Sequence, residues 1–130
     1  WSPDGKQILF TTEIGAMFTI NIDGTDLNLV GTGLARYPSP TWTVNNQIIY
    51  HSTRESKQFD SSDIYVLDLV SGNEQLILGG DGMQQIWWMK DNLAVVRDMP
   101  LDGSCETLNL IDLSTGVITN LYNSMSGAQD

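Results

Sequence analysis

Trp1, Trp42 and Trp88 stand 41 and 46 residues apart, and each is followed by a polar turn and an apolar strand. The strand after Trp1 contains Gln7-Ile8-Leu9-Phe10. The one after Trp42 contains Gln47-Ile48-Ile49-Tyr50, and the one after Trp88 Leu93-Ala94-Val95-Val96. The later part of each unit matches as well: FTINIDGTD, YVLDLVSGN and NLIDLSTGV are apolar strands ending in glycine-containing turns. One supersecondary unit is therefore written three times, as residues 1–41, 42–87 and 88–130. A fold for this chain has to accommodate that repetition before anything else.

A period of about 40–45 residues with several short strands per unit is the spacing of β-propeller blades. The expected fold is all-β: a propeller piece of three four-stranded antiparallel blades. Strands are expected at 7–12, 17–22 and 27–31; at 36–42, 47–52, 63–69 and 74–78; and at 83–89, 93–98, 107–113 and 117–121. Strands 17–22, 64–69 and 108–113 carry apolar residues on both faces, which suits a sheet packed between two others. Phe18, Ile20 and Ile22 point one way and Met17 the other. No stretch sustains a helical period.

Ser2-Pro3-Asp4-Gly5 fits a type I turn, with proline preset for the second position and glycine at the fourth. It should join two antiparallel strands, the first ending at Trp1. That innermost strand would lie ahead of Trp1, and residues 122–130 read as the inner strand of a further blade. Three blades do not close a ring, so the chain is expected to be a window from a longer ring or one half of a six-bladed ring completed by a second copy.

The stretches WSPDGKQILF and INIDGTD resemble the TolB-type propeller repeat, which also occurs in tricorn-protease and prolyl-oligopeptidase-type propellers. YPSPTW, IIYHSTRES and DIYVLDLVSG extend the resemblance through the second unit. The third unit keeps the tryptophan and the strand pattern but lacks Ser-Pro-Asp-Gly. The Gly-His and Trp-Asp marks of WD repeats are absent. The resemblance implies that the strand ending at Trp is innermost in each blade. It also implies a bacterial, periplasmic or extracellular setting and a protein or peptide partner bound on a ring face or in the channel.

Six Lys+Arg against sixteen Asp+Glu give a net charge of −10 over 130 residues. Such a field repels phosphate backbones, so nucleic acid is not an expected partner, and an anionic membrane surface is disfavoured likewise. No apolar run approaches the ~20 residues that span a bilayer, so membrane insertion is not expected. The start at Trp rather than Met reads as a mature or excised piece. The single Cys105 rules out an intrachain disulfide framework and a cysteine-based zinc site.

Candidate chemistry is thin. His51, the one histidine, has no nucleophile elbow to serve and reads as structural or solvent-facing. Asp23-Gly24-Thr25-Asp26 resembles part of a calcium loop, but its mates Val70-Ser71-Gly72-Asn73 and Leu113-Ser114-Thr115-Gly116 are hairpin turns, and it reads as one too. Asp60/Asp63 and Asp98/Asp102 could pair as acid and base, yet nothing else supports glycoside chemistry. Gly79-Gly80-Asp81-Gly82 leads into a strand rather than a helix, so it is no phosphate cradle. Trp1, Trp42 and Trp88 are expected to pack between blades, with Trp87 turned to the opposite face. No cofactor and no metal are expected.

The clear insertion relative to the first unit is residues 53–62, with two of the six basic residues and Phe59. Loops after the second and fourth strands of each blade should share one side, gathering Arg36, Tyr37, Arg54, Lys57, Phe59, Asp60, Asp81 and Asp102 as partner contacts. The expected function is a non-enzymatic scaffold that binds a protein or peptide. The alternatives are the gating propeller of a serine-peptidase-like enzyme whose catalytic domain lies elsewhere, and a self-assembling structural or sensor module.

Overall fold

Residues such as Gln47-Ile48-Ile49-Tyr50-His51-Ser52 place β-branched and aromatic side chains on both faces of a strand, and only a sheet covered on both sides can bury them. The computed structural model, which describes residues 1–32, 40–53, 62–79 and 82–124, builds such a stack. The first sheet has order β1-β2-β3: β1 Gln7–Thr11, β2 Met17–Asn21 and β3 Asn28–Gly31. The second has order β4-β5-β6-β7: β4 Thr41–Trp42, β5 Gln47–Ser52, β6 Asp63–Asp68 and β7 Glu74–Leu78. The third holds β8 Gly82–Lys90, β9 Leu93–Pro100, β10 Thr107–Asp112 and β11 Ile118–Asn123, again in chain order. Every pairing is antiparallel. The described residues contain no helix, and hence none long and apolar enough to cross a membrane.

The second sheet lies between the other two. Its Ile48, Tyr50, Tyr65 and Leu67 form one buried cluster with Met17 of the first sheet, and Leu9, Val30 and Trp42 pack against it. On its opposite face, Ile49, Ile64 and Val66 join Ala94, Val96, Ile111 and Leu113 of the third sheet. Residues 48 and 49, or 64 and 65, thus serve different cores, as strict alternation requires. Met17 is fully buried while Phe18 faces away from the stack, as the sequence pattern implies.

The three sheets also share an irregularity. A bulge falls between Met17 and Phe18, between Ile64 and Tyr65, and between Leu108 and Asn109, each leaving one extra residue (Val30, Ile77, Leu121) on the outer strand. These bulges align the repeats residue by residue, and two expectations change as a result.

First, Trp88 is not the counterpart of Trp42. Trp42 pairs with Ile48 and Ile48 with Leu67, whereas the equivalent Ile111 pairs with Ala94 and Ala94 with Met89. An extra residue, Trp87, is inserted between Ile86 and Trp88 and shifts the register by one. Met89 takes the packing role in the third sheet, while Trp88 and Trp87 stay 47% and 55% exposed. The bulge overrides the alternation that would have put Trp87 and Trp88 on opposite faces.

Second, β11 runs past the expected end at 121. Tyr122 pairs with Leu108, Asn123 with Thr107, and Ser124 N donates to Glu106 O (2.7 Å). Residues 122 and 123 therefore belong to the outer strand of the third sheet and not to an inner strand of a further blade. Residues 125–130 lie outside the described residues. The remaining strands lie within a few residues of their expected bounds, except that β4 begins only at Thr41, after Pro40; residues 36–39 of its expected range lie outside the described residues.

Candidate functional site

Antiparallel order gives the stack two rims. One collects the turns that follow the first and third strands of a blade. There Ser2 stands 7% exposed at the head of its turn. Its Oγ accepts from Lys6 N (3.1 Å) and Gln7 N (2.9 Å) and donates to Asp4 Oδ1 (2.7 Å). Gly5 N donates to Ser2 O (2.9 Å), closing the type I turn with Gly5 at φ 70°. In the second sheet Thr43 substitutes for Ser2: its Oγ1 accepts from Gln47 N (3.2 Å). The third sheet reduces the turn to two residues, Asp91 and Asn92, with Asp91 at φ 54°.

The remaining turns of this rim consume their own carboxylates. Asp23 Oδ1 accepts from Thr25 N and Oγ1 (2.9 and 2.6 Å), which holds its carboxyl below the usual range. Asp68 Oδ1 accepts from the Val70 and Ser71 amides (2.9 and 2.8 Å), and Asp112 Oδ1 from Ser114 N and Oγ (2.9 and 2.5 Å). Asp23-Gly24-Thr25-Asp26 is thus a hairpin turn like its mates. Adjacent turns are tied by Ile22 N to Lys6 O, Leu69 N to Asn46 O and Leu113 N to Asn92 O, and Asn45 Nδ2 reaches Asn92 Oδ1 across sheets (2.7 Å).

The opposite rim is built differently. The strand ends flanking residues 33–39, 54–61 and 80–81 all stand there, beside the β1–β2 and β9–β10 connections. Of the eight residues assigned to this side, Arg36, Tyr37, Arg54, Lys57, Phe59, Asp60 and Asp81 lie outside the described residues. Asp102 is described: it is exposed, and Ser104 holds its carboxyl below the usual range, with Ser104 N donating to Oδ1 (2.8 Å).

Beneath this rim lies a buried polar floor that no residue pattern announces. Gln84 is fully buried; with its amide turned to satisfy both contacts, Nε2 donates to Leu78 O (2.8 Å) and Ser62 O (3.2 Å). Ser62 N donates to Gly82 O (3.2 Å), stitching the second sheet to the third. Gly82 is required here, because a Cβ would sit 2.8 Å from Met99 O and 2.9 Å from Asp98 Oδ1. Burial pushes the Asp98 carboxyl up. His51 belongs to the same seam: Ile86 N donates to its Nε2 (3.4 Å), and burial pushes its pKa down. It acts as a neutral acceptor between sheets. Asp63 is buried in the floor and Asp102 is exposed, while Asp60, the other member of the first carboxylate pair weighed from the sequence, lies outside the described residues. Among the described residues no group of three or more His, Cys, Asp or Glu could hold a metal.

Sequence reasoning also passed over Arg97. It forks onto Glu106, with Nη2 2.8 Å from Oε2 and Nε on Oε1, and its guanidinium lies 5.1 Å from the Trp87 ring centroid. An arginine directly after the apolar run Leu93-Ala94-Val95-Val96, within the same strand, was the available signal.

No protein-family model matches the sequence, and a search of curated proteins finds no match. Solved structures do match. A TolB structure from Agrobacterium tumefaciens superposes with a TM-score of 0.69 at 16% identity, over 96% of this chain and 48% of that one. TolB from Acinetobacter baumannii gives 0.58 at 19% identity, over 92% and 30%. The chain thus spans about half the length of the first and less than a third of the second. These likenesses establish the fold: three successive blades of a TolB-like β-propeller.

Proposed function

We propose that this chain is a non-enzymatic propeller scaffold that binds a protein or peptide on the rim formed by residues 33–39, 54–61, 80–81 and the Asp102 loop. The difference between the two rims carries this reading. On one, short turns satisfy their own amides and carboxylates and leave little for a ligand to pair with. On the other, β5 and β6 are joined by residues 53–62 and β9 and β10 by 101–106, and the strand ends there are tied together through Gln84, Ser62 and Gly82. Long connections on a rigid frame are where binding residues concentrate. Arg36, Arg54 and Lys57 are half of the six basic residues of a chain of net charge −10, and Glu55, Asp60, Asp81 and Asp102 stand in the same connections, so these segments offer a partner charges of both signs.

The TolB-like fold supports a scaffold rather than a catalyst, and a site of action outside the bacterial cytoplasm, in the periplasm or beyond it. A displayed random-peptide library selected on this chain tests the reading. Selected peptides should lose at least tenfold in affinity for the Arg54→Glu/Lys57→Glu double variant and bind an Asn45→Lys variant of the opposite rim unchanged. Equal binding to both variants, or loss only on the Asn45 side, would overturn it.

A further inference from the structure

Gln84 is buried among more acceptors than one amide can serve. Its Nε2 hydrogens are committed across the sheets, to Leu78 O (2.8 Å) and Ser62 O (3.2 Å). The other end of the amide faces Asp98, its register partner on β9, whose carboxyl is in hydrogen-bonding contact with it. With Nε2 turned to the second sheet that end is Oε1, which accepts and cannot donate. An ionised carboxylate also only accepts, so the two would meet oxygen to oxygen. A protonated carboxyl donates its O–H and completes the set.

The surroundings favour that proton. Asp98 Oδ1 lies over Gly82, 2.9 Å from where a Cβ on that residue would stand, so the carboxyl is packed against backbone. Burial pushes it above its ordinary value of 3.8. A Gln84 amide donating to the carboxylate would pull it back down, but an amide turned to Leu78 and Ser62 has no hydrogen left to do so. Arg97 alternates to the opposite face of β9, where Glu106 matches it. Thr107, the partner of Asp98 on β10, is uncharged, as is Asn109 beyond it. From the second sheet the described titratable groups at this junction are His51, kept neutral by burial, and Asp63, buried beside Gly79. None of these groups offers Asp98 a cation.

We propose that Asp98 and Gln84 form a proton-operated latch between the second and third sheets. With the proton on Asp98, its O–H donates to Gln84 Oε1 and the amide ties β8 to Leu78 and Ser62. When the proton leaves to water, the carboxylate draws the Nε2 end of the amide to itself. Oε1 then stands against Leu78 O and Ser62 O, and the tie is lost. A carboxyl raised in the folded chain stabilises at low pH, so the latch is closed in acid and opens as pH rises through the folded value. Ser62 ends the connection from β5, and Leu78 and Gly82 flank the next one, so this proton sets how firmly the two connections are held together. The latch operates whatever the rim binds. His51 responds in the opposite sense, because only its neutral Nε2 accepts from Ile86 N.

Two measurements on the 130-residue chain test this without a ligand. Carboxyl-carbon NMR should show Asp98 titrating above its ordinary value. The Ser62 amide, bonded to Gly82 O, should lose about tenfold in hydrogen-exchange protection between about pH 4 and about pH 7. The Leu113 amide, bonded to Asn92 O on the opposite rim, should keep its protection. Both readings are repeated in a His51→Gln background, where the contact to Ile86 does not titrate. Asp98→Asn supplies a permanent donor to Gln84 Oε1 and should hold Ser62 at its acid level of protection across the range. If that variant misfolds, the carboxyl titration of the wild-type chain decides. Asp98 titrating at or below its ordinary value overturns the proposal. So does Ser62 protection that is independent of pH in the wild type, or equally dependent on it in Asp98→Asn.

Discussion

The middle sheet and its two neighbours are written in the same alternating pattern, yet they bury it differently. In β6, five of six residues are buried, from Asp63 through Leu67. In the equivalent strands β2 and β10 full burial alternates, with Met17 and Thr19 buried in one and Asn109 and Ile111 in the other. Residue type does not account for this, since Phe18 and Leu108 are as apolar as Tyr65 and Ile64. The difference is the number of neighbours. A two-faced apolar strand stabilises the fold only to the extent that something covers each face.

The largest expected effect tests that contrast directly. Ile64→Ala removes a fully buried side chain between the second and third sheets and should cost about 3–4 kcal/mol by denaturant unfolding. Its register equivalent on the outer face of the third sheet, Leu108→Ala, removes a side chain that is only half-buried and should cost under about 1 kcal/mol. Equal losses would break the comparison. Next comes Gly82→Ala, whose Cβ meets the Met99 carbonyl oxygen at 2.8 Å, a backbone atom that cannot swing aside as the Asp98 carboxylate can. About 2 kcal/mol is expected, localised to the seam between the second and third sheets.

A smaller effect compares the three innermost turns. Ser2→Ala strips the acceptor from two amides and should cost about 1–2 kcal/mol; Thr43→Ala, with one such contact, should cost about 1 kcal/mol. Lys90→Ala at the matching place in the third sheet should be near neutral, because its two-residue turn uses no side-chain acceptor there. The smallest effect is a pH dependence. His51 titrates below its ordinary value in the folded chain, so below about pH 6.5 the unfolded chain binds the extra proton more readily. Its contribution is full above that pH and declines as pH falls, by no more than about 1.4 kcal/mol per unit. His51→Gln should flatten the stability profile between pH 5 and 7.

Most of the frame was legible from sequence, and the reasons are local. Period-two alternation and residues suited to positive φ, such as Gly5, Gly24, Gly72 and Gly116, mark strand and turn without reference to the rest of the chain. Register is different, because one inserted residue moves every later side chain to the other face. Trp88 was assigned to the packing position on spacing alone, and the bulge at Trp87 gives that position to Met89. The same holds for Tyr122, whose place in β11 depends on a bulge opposite Leu108. The polar floor around Gln84 was illegible for another reason. Its partners Leu78 O and Ser62 O are backbone atoms, which no residue pattern encodes. Of the eight residues expected on the binding surface, Asp102 falls among the described ones, and the contrast between the two rims carries the reading.

Native-state hydrogen exchange, read residue by residue, tests most directly whether the middle sheet is the shared core. The slowest amides should lie where β5 and β6 pair, at Ile49, Tyr50, Tyr65 and Val66, and should exchange only through global unfolding. Amides of β2 paired with β3, and of β10 paired with β11, should open locally and exchange sooner. Slowest exchange in the first or third sheet, with β5 and β6 opening first, would contradict the account.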